Sequence, residues 1–102
     1  KNAKVDLTST DVTTLYTAPA ATTAIFRSLV VADDSGSTST ITVTVTDSAS
    51  AVFVLYNVKA TTANGTAELL TQPLVIQESE VLKVTAANAN RLHVIGSYLE
   101  IT

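Results

Sequence analysis

The amino-acid sequence predicts an all-β fold, a two-sheet antiparallel β-sandwich of immunoglobulin-like or jelly-roll kind, and three observations carry that expectation. Apolar and polar residues alternate at period two over most of the 102 residues, and no long stretch places apolar residues at i, i+3, i+4 and i+7. The β-branched residues Val, Ile and Thr, which fit a pleated surface, are abundant throughout. Clusters of Gly, Pro, Asn, Asp and Ser cut the chain into roughly seven or eight extended pieces of about 5 to 10 residues, the rhythm of a sandwich.

Taken in order, residues 1–12 form an N-terminal arm or edge strand, extended around residues 4–8. Leu15 and Tyr16 start a second strand that Pro19 ends, because proline has no N–H to give a ladder, and "AATT" turns a corner. Residues 24–33, "AIFRSLVVAD", read as a long strand with Ile25, Leu29 and Val31 on one side and Phe26, Val30 and Ala32 on the other. "DDSGSTS" is a turn in which Gly36 is free to take positive φ. It leads into residues 38–47, where Thr40, Thr42, Thr44 and Thr46 alternate with Ile41, Val43 and Val45, the latter expected in the core.

"DSAS" reads as a hairpin link to "AVFVLYNVKA", in which Val52, Val54, Tyr56 and Val58 alternate with Phe53, Leu55 and Asn57. Asn64-Gly65 is the dipeptide best suited to a type I′ hairpin turn. Pro73 breaks the next run, so "TAELLT" and "PLVIQ" are read as two pieces of one bent edge strand. Leu82, Val84 and Ala86 then share one face of a strand. After the turn "ANANR", the last strand sets Leu92, Val94 and Tyr98 opposite His93, Ile95, Leu99 and Ile101. Gly96 in mid-strand marks a bulge or a close approach by another backbone.

Length and composition narrow the function. A chain of 102 residues is a single domain on size alone. Its net charge of −3 gives no basic footprint for nucleic acid. With no Cys, disulfides, thiolate chemistry and cysteine metal sites are out, so packing must hold the fold. No apolar run nears the roughly 18 to 20 residues of a spanning helix, "KNAKVDLTSTD" lacks the apolar core of a signal peptide, and a soluble chain without membrane contact is expected. Charged residues make up only 15%, a surface that resists association poorly and favours a homo-oligomer or lattice.

No catalytic, cofactor or metal site is expected. His93 is the single histidine and is read as a strand residue bonded to a neighbouring hydroxyl. Asp33 and Asp34 could offer oxygens to a cation, but without the D-x-[DN]-x-[DN]-G spacing they read as turn residues. Glu78 and Glu80 read as charges that keep an edge soluble. There is no G-x-S-x-G elbow. Asn64-Gly65-Thr66 fits a glycosylation pattern, but the turn explains the same letters. Tyr16, Tyr56 and Tyr98 could form an aromatic platform for sugars, or else serve as strand residues with phenol tips at the sandwich edge. Ice binding needs several threonine rows, and neither "EVLKVTA" nor "RLHVIGS" supplies a second one.

Two stretches carry a resemblance. "TTLYTAPAATTAIFRSLVVAD" is similar to the opening of small virion proteins of tailed bacteriophages, and "PLVIQESEVLKVTAANANRLHVIGSYLEIT" resembles their closing pattern. The likeness spans residues 13–102; where those proteins turn on Gly-Asp, this chain has Glu78-Ser79-Glu80. It implies a non-enzymatic sandwich in the virion, either a capsid decoration (cement) protein, often a trimer, or an accessory of neck, tail or fibre, with the major capsid protein or other virion proteins as partners. The residues leave one alternative, a glycan- or receptor-binding module of tail, neck or fibre that works through "DDSGSTS" and "ATTANGT". Because "AVFVLY" and "AIFRSLVVA" are apolar on both strand sides, one face should meet another subunit. The candidate interface residues are Phe53, Leu55, Tyr56, Thr40, Thr42 and Thr44.

Overall fold

The computed structural model describes residues 1–102, apart from the side chain of Lys59. Among the described residues there are nine strands and no helix. They are β1 (Asn2–Leu7), β2 (Thr13–Thr17), β3 (Thr23–Asp33), β4 (Thr40–Thr46), β5 (Val52–Ala60), β6 (Thr66–Glu68), β7 (Leu74–Ile76), β8 (Val81–Ala86) and β9 (Leu92–Ile101). One antiparallel sheet runs β1-β9-β3-β6, with β7 also on β3, and the other runs β2-β8-β4-β5. β6 and β7 pair with the two ends of β3, so they are the halves of one interrupted edge strand, as Pro73 implies.

The pairings are nested. β4 pairs with β5, β3 with β6 and β7, β2 with β8, and β1 with β9. The chain is thus doubled on itself about the β4–β5 turn and rolled into two sheets, which is jelly-roll topology. In an immunoglobulin sandwich the first two strands pair in one sheet; here β1 and β2 lie in different sheets.

The core follows period two where the strands are regular. Leu82, Val84 and Ala86 of β8, Leu92 and Val94 of β9 and Ile41 and Val43 of β4 are buried between the sheets, and Val45 is half-buried at the margin. Where a strand is bulged, the simple alternation fails. β3 slips register at Arg27, so Phe26 joins Leu29 and Val31 inside, while Ile25, Val30 and Ala32 face out. β2 slips between Thr14 and Tyr16, which lets neighbouring Leu15 and Tyr16 both be buried.

Phe26 is the centre of the core. It is fully buried, stacks on Tyr98 with ring centroids 4.8 Å apart, and meets Tyr16 edge-on at 5.3 Å. Gly96 lies beneath the ring, where a Cβ would sit 2.6 Å from Phe26 Cε2. The close approach that Gly96 allows is therefore by a side chain, and the bulge is on the neighbouring strand. Tyr16 Oη donates to Glu100 Oε2 (2.7 Å), whose other oxygen pairs with Lys1 Nζ (2.5 Å), tying the two sheets at that end. Burial first, and then the bond to Glu100, push the Tyr16 phenol well above its ordinary value.

The Asn64-Gly65 expectation is overturned. β5 and β6 belong to different sheets, so no hairpin joins them. Only Asn64 is left-handed (φ 55°), and Gly65 donates its N–H to the carbonyl of Thr62 (2.8 Å). Gly65 is there for space, since a Cβ would lie 2.9 Å from Thr62 Cβ. The "DSAS" link does close a hairpin: Asp47 Oδ1 accepts the N–H groups of Ala49 (2.9 Å) and Ala51 (2.8 Å).

Candidate interaction surface

β5 has one partner, β4, and its other edge meets no strand. Its first three residues pair regularly, Val52 with Thr46, Phe53 with Val45 and Val54 with Thr44. Then the register slips twice, so the expected alternation along "AVFVLYNVKA" breaks and Phe53 and Tyr56 both lie opposite inward-facing valines. At the second slip Val58 is left-handed (φ 53°), a strained position for a β-branched residue. Its N–H is taken by Thr42 Oγ1 at 3.1 Å.

The strand is poorly covered. Phe53 is 59% exposed, Val52, Val54 and Val58 are close to it, and Leu55 is 38% exposed. The opposite sheet ends at the split β6/β7 edge, whose loop leaves a cleft of about 210 Å³ between Leu55, Tyr56, Leu69, Leu70, Pro73 and Leu74. Small-molecule pockets run from about 300 to 1,000 Å³, so this cleft is a side-chain-sized notch. Tyr56 is half-buried and donates its hydroxyl to the carbonyl of Leu69 across it.

The remaining candidates are placed as follows. Thr40, Thr42 and Thr44 are half-buried on the outer face of the β4 sheet, and Thr44 lies in a cross-strand row with Thr14, Lys83 and Val54. Their chemistry is uneven: Thr42 holds the β5 bulge, whereas Thr46 Oγ1 is buried without a partner. Tyr16 and Tyr98 pack against each other and Phe26, so they make no exposed platform with Tyr56. Sequence reasoning missed a second apolar surface on the outer face of the other sheet, where Val75, Ile25 and Leu99 align across three strands with Ile95 and Ile101 exposed nearby. The bulge at Arg27 turns Ile25 outward into this row, beside the Ile95, Leu99 and Ile101 side of β9.

The polar candidates serve the turns. Asp33 is buried; its Oδ1 accepts from the N–H and hydroxyl of Ser35 and its Oδ2 from Thr61 Oγ1. Burial works against its ionisation, but these bonds outweigh it and hold the carboxyl below its ordinary value. Glu78 accepts the N–H of Ala21 and Glu80 that of Gln77. His93 lies beside carboxylates rather than a hydroxyl, Nε2 3.2 Å from Asp6 Oδ1 and Nδ1 3.8 Å from Asp34 Oδ2. Among the described residues no group of three or more His, Cys, Asp or Glu is placed to hold a metal.

Comparison of the chain with protein-family models, with curated proteins and with solved structures finds no match in any of the three. Fold and surface together define a jelly-roll β-sandwich with an uncharged, unpaired apolar edge.

Proposed function

We propose that this chain is a structural protein of a tailed-phage virion, a non-enzymatic decoration protein that stabilises the capsid by subunit contacts, with β5 as a docking edge. One observation carries the docking: five large apolar residues, Val52, Phe53, Val54, Leu55 and Val58, are exposed on a strand whose outer edge pairs with no other strand among the described residues. Contiguous exposed apolar surface of this kind marks interaction sites. The virion setting is suggested by the resemblance of the sequence patterns in residues 13–102 and by nothing in the comparisons with known proteins. Jelly rolls serve both capsid and lectin domains, so the architecture is compatible with this reading and with its rival.

The rival reading is a glycan-binding accessory module, and one observation favours it. The loops at residues 33–39 and 60–66 come together at one end of the sandwich, Asp33 donating its N–H to Gly65 and Ser39 its N–H to Thr61 Oγ1. The test is cosedimentation of the purified chain with assembled tailed-phage heads and with unassembled shell protein, beside a glycan array. Saturable binding to heads only, with heads that survive hotter incubation, is expected. Glycan binding without head binding overturns the decoration reading in favour of the module.

A further inference from the structure

We infer that β5 pairs with β5 of a second copy of this chain, antiparallel about a two-fold axis at Phe53, which would join two four-stranded sheets into one of eight. The inference rests on reading β5 as a docking edge and names its partner.

Each of the other three sheet edges carries a device that discourages pairing. β1 presents Lys4 and Asp6, β2 is five residues long and bulged, and the β6/β7 edge is split by a loop containing Pro73. Short, charged, bulged or proline-bearing edges resist strand addition. β5 is nine residues long and carries no charge from Val52 to Val58. Its own bulges begin after Val54, so the regular part is Val52 to Val54.

The free backbone groups fall where such a pair needs them. Asp47 donates its N–H to the carbonyl of Ala51 at 2.9 Å, so Ala51 faces β4. By the alternation of an antiparallel ladder Phe53 faces β4 as well, and the N–H and C=O groups of Val52 and Val54 point away from it. Two copies centred on Phe53 set Val52 of each against Val54 of the other as hydrogen-bonded pairs. The two Phe53 residues then form the closer, non-hydrogen-bonded pair, and all four bulges stay outside.

The sequence around that axis is self-complementary. Ala51-Val52-Phe53-Val54-Leu55 reads nearly alike in both directions: Val meets Val, Phe meets Phe, and small Ala51 meets large Leu55. The stretch is neutral in a chain of net charge −3, so like charges do not oppose across the axis. A charged foreign strand would find no complementary charge there. A two-fold contact needs this kind of self-matching patch.

Sedimentation equilibrium of the intact chain tests the pairing, and a reversible dimer is expected. Phe53→Asp should stay folded by circular dichroism and raise the dimer dissociation constant about tenfold or more. The chain has no cysteine, so Phe53→Cys should give a disulfide-linked dimer on oxidation, because the paired Cα atoms would lie about 4.5 Å apart. Asn57→Cys, exposed on the same strand but about 27 Å from its mate in this register, should stay unlinked. A wild-type monomer at about 1 mM, a trimer, a Phe53→Asp dimer as tight as wild type, or equal linking of both cysteine variants each overturn the pairing. A monomer that still binds phage heads defeats the pairing and leaves the docking reading standing; a dimer that ignores heads does the reverse.

Discussion

The chain has two phenylalanines, and they sit in opposite circumstances. Phe26, on β3, is 0% exposed; Phe53, on β5, is 59% exposed. β3 has strands on both sides and a second sheet over its inner face, so a ring there is surrounded by Tyr16, Tyr98 and the backbone of Gly96. β5 has a strand on one side only, and the sheet opposite stops short of it. The same side chain is thus a core residue in one place and an exposed surface residue in the other. Position in the sheet order makes the difference, while local sequence is similarly apolar around both.

The largest effect that tests this contrast is Phe26→Ala, which should cost about 3 to 5 kcal/mol in urea unfolding, by lost transfer energy and the cavity left behind. That is a large share of the total stability of a small domain. Gly96→Ala pushes a methyl into the same ring and should cost about 1 to 3 kcal/mol by overpacking. The two changes should be non-additive in a double-mutant cycle, because removing the ring makes room for the methyl. Additive costs would mean that Gly96 is needed for some reason other than the ring.

A smaller effect distinguishes the edge opposite β5. Leu29 lies opposite the gap between β6 and β7, and Glu68 takes its N–H at 2.7 Å while also accepting from Ser28 Oγ at 2.6 Å. Burial works against ionisation of Glu68, but these bonds outweigh it and hold the carboxyl below its ordinary 4.5. A depressed folded value stabilises the protein above the unfolded value and ceases to do so as pH falls through the folded one. The wild-type melting temperature should therefore hold from neutrality to about pH 5 and drop below about pH 4.5. Glu68→Gln should cost about 1 kcal/mol at pH 7, given its exposure, and should flatten the acid limb. An unchanged acid limb would assign the drop to Asp33 or Glu100, both also held below their ordinary values.

The smallest stability effect belongs to the other phenylalanine. Phe53→Ala should change the unfolding free energy by no more than about 0.5 kcal/mol under conditions where the chain is monomeric. A loss comparable to that of Phe26→Ala would place Phe53 in the core and abolish the contrast.

Much of the fold was legible in the residues. Period two gave the strands, Asp47 and Gly36 marked turns, Pro73 split the edge strand, and the inward faces of β8 and β9 were read correctly because neither strand slips. The errors cluster at bulges and at a sheet switch. An extra residue at Arg27 reverses which side Phe26 and Ile25 face, two slips do the same within β5, and Asn64-Gly65 suggests a hairpin that does not form because a dipeptide carries no information about which sheet the next strand enters. The candidate interface residues combine the apolar Phe53, Leu55 and Tyr56 with the neutral threonines Thr40, Thr42 and Thr44. Sequence alone could not tell an edge strand from a central one with the same composition.

What the sequence determined by itself was the class: an all-β sandwich held by packing, with no cysteine and low charge, since alternation and β-branching act within each strand. The tertiary structure decided the rest. It set the jelly-roll order, the placement of Phe26 inside and Phe53 outside, and the position of β5 at a sheet edge. Those depend on which strands pair across long separations and where one extra residue shifts a register, and both are settled by the summed burial of the whole core.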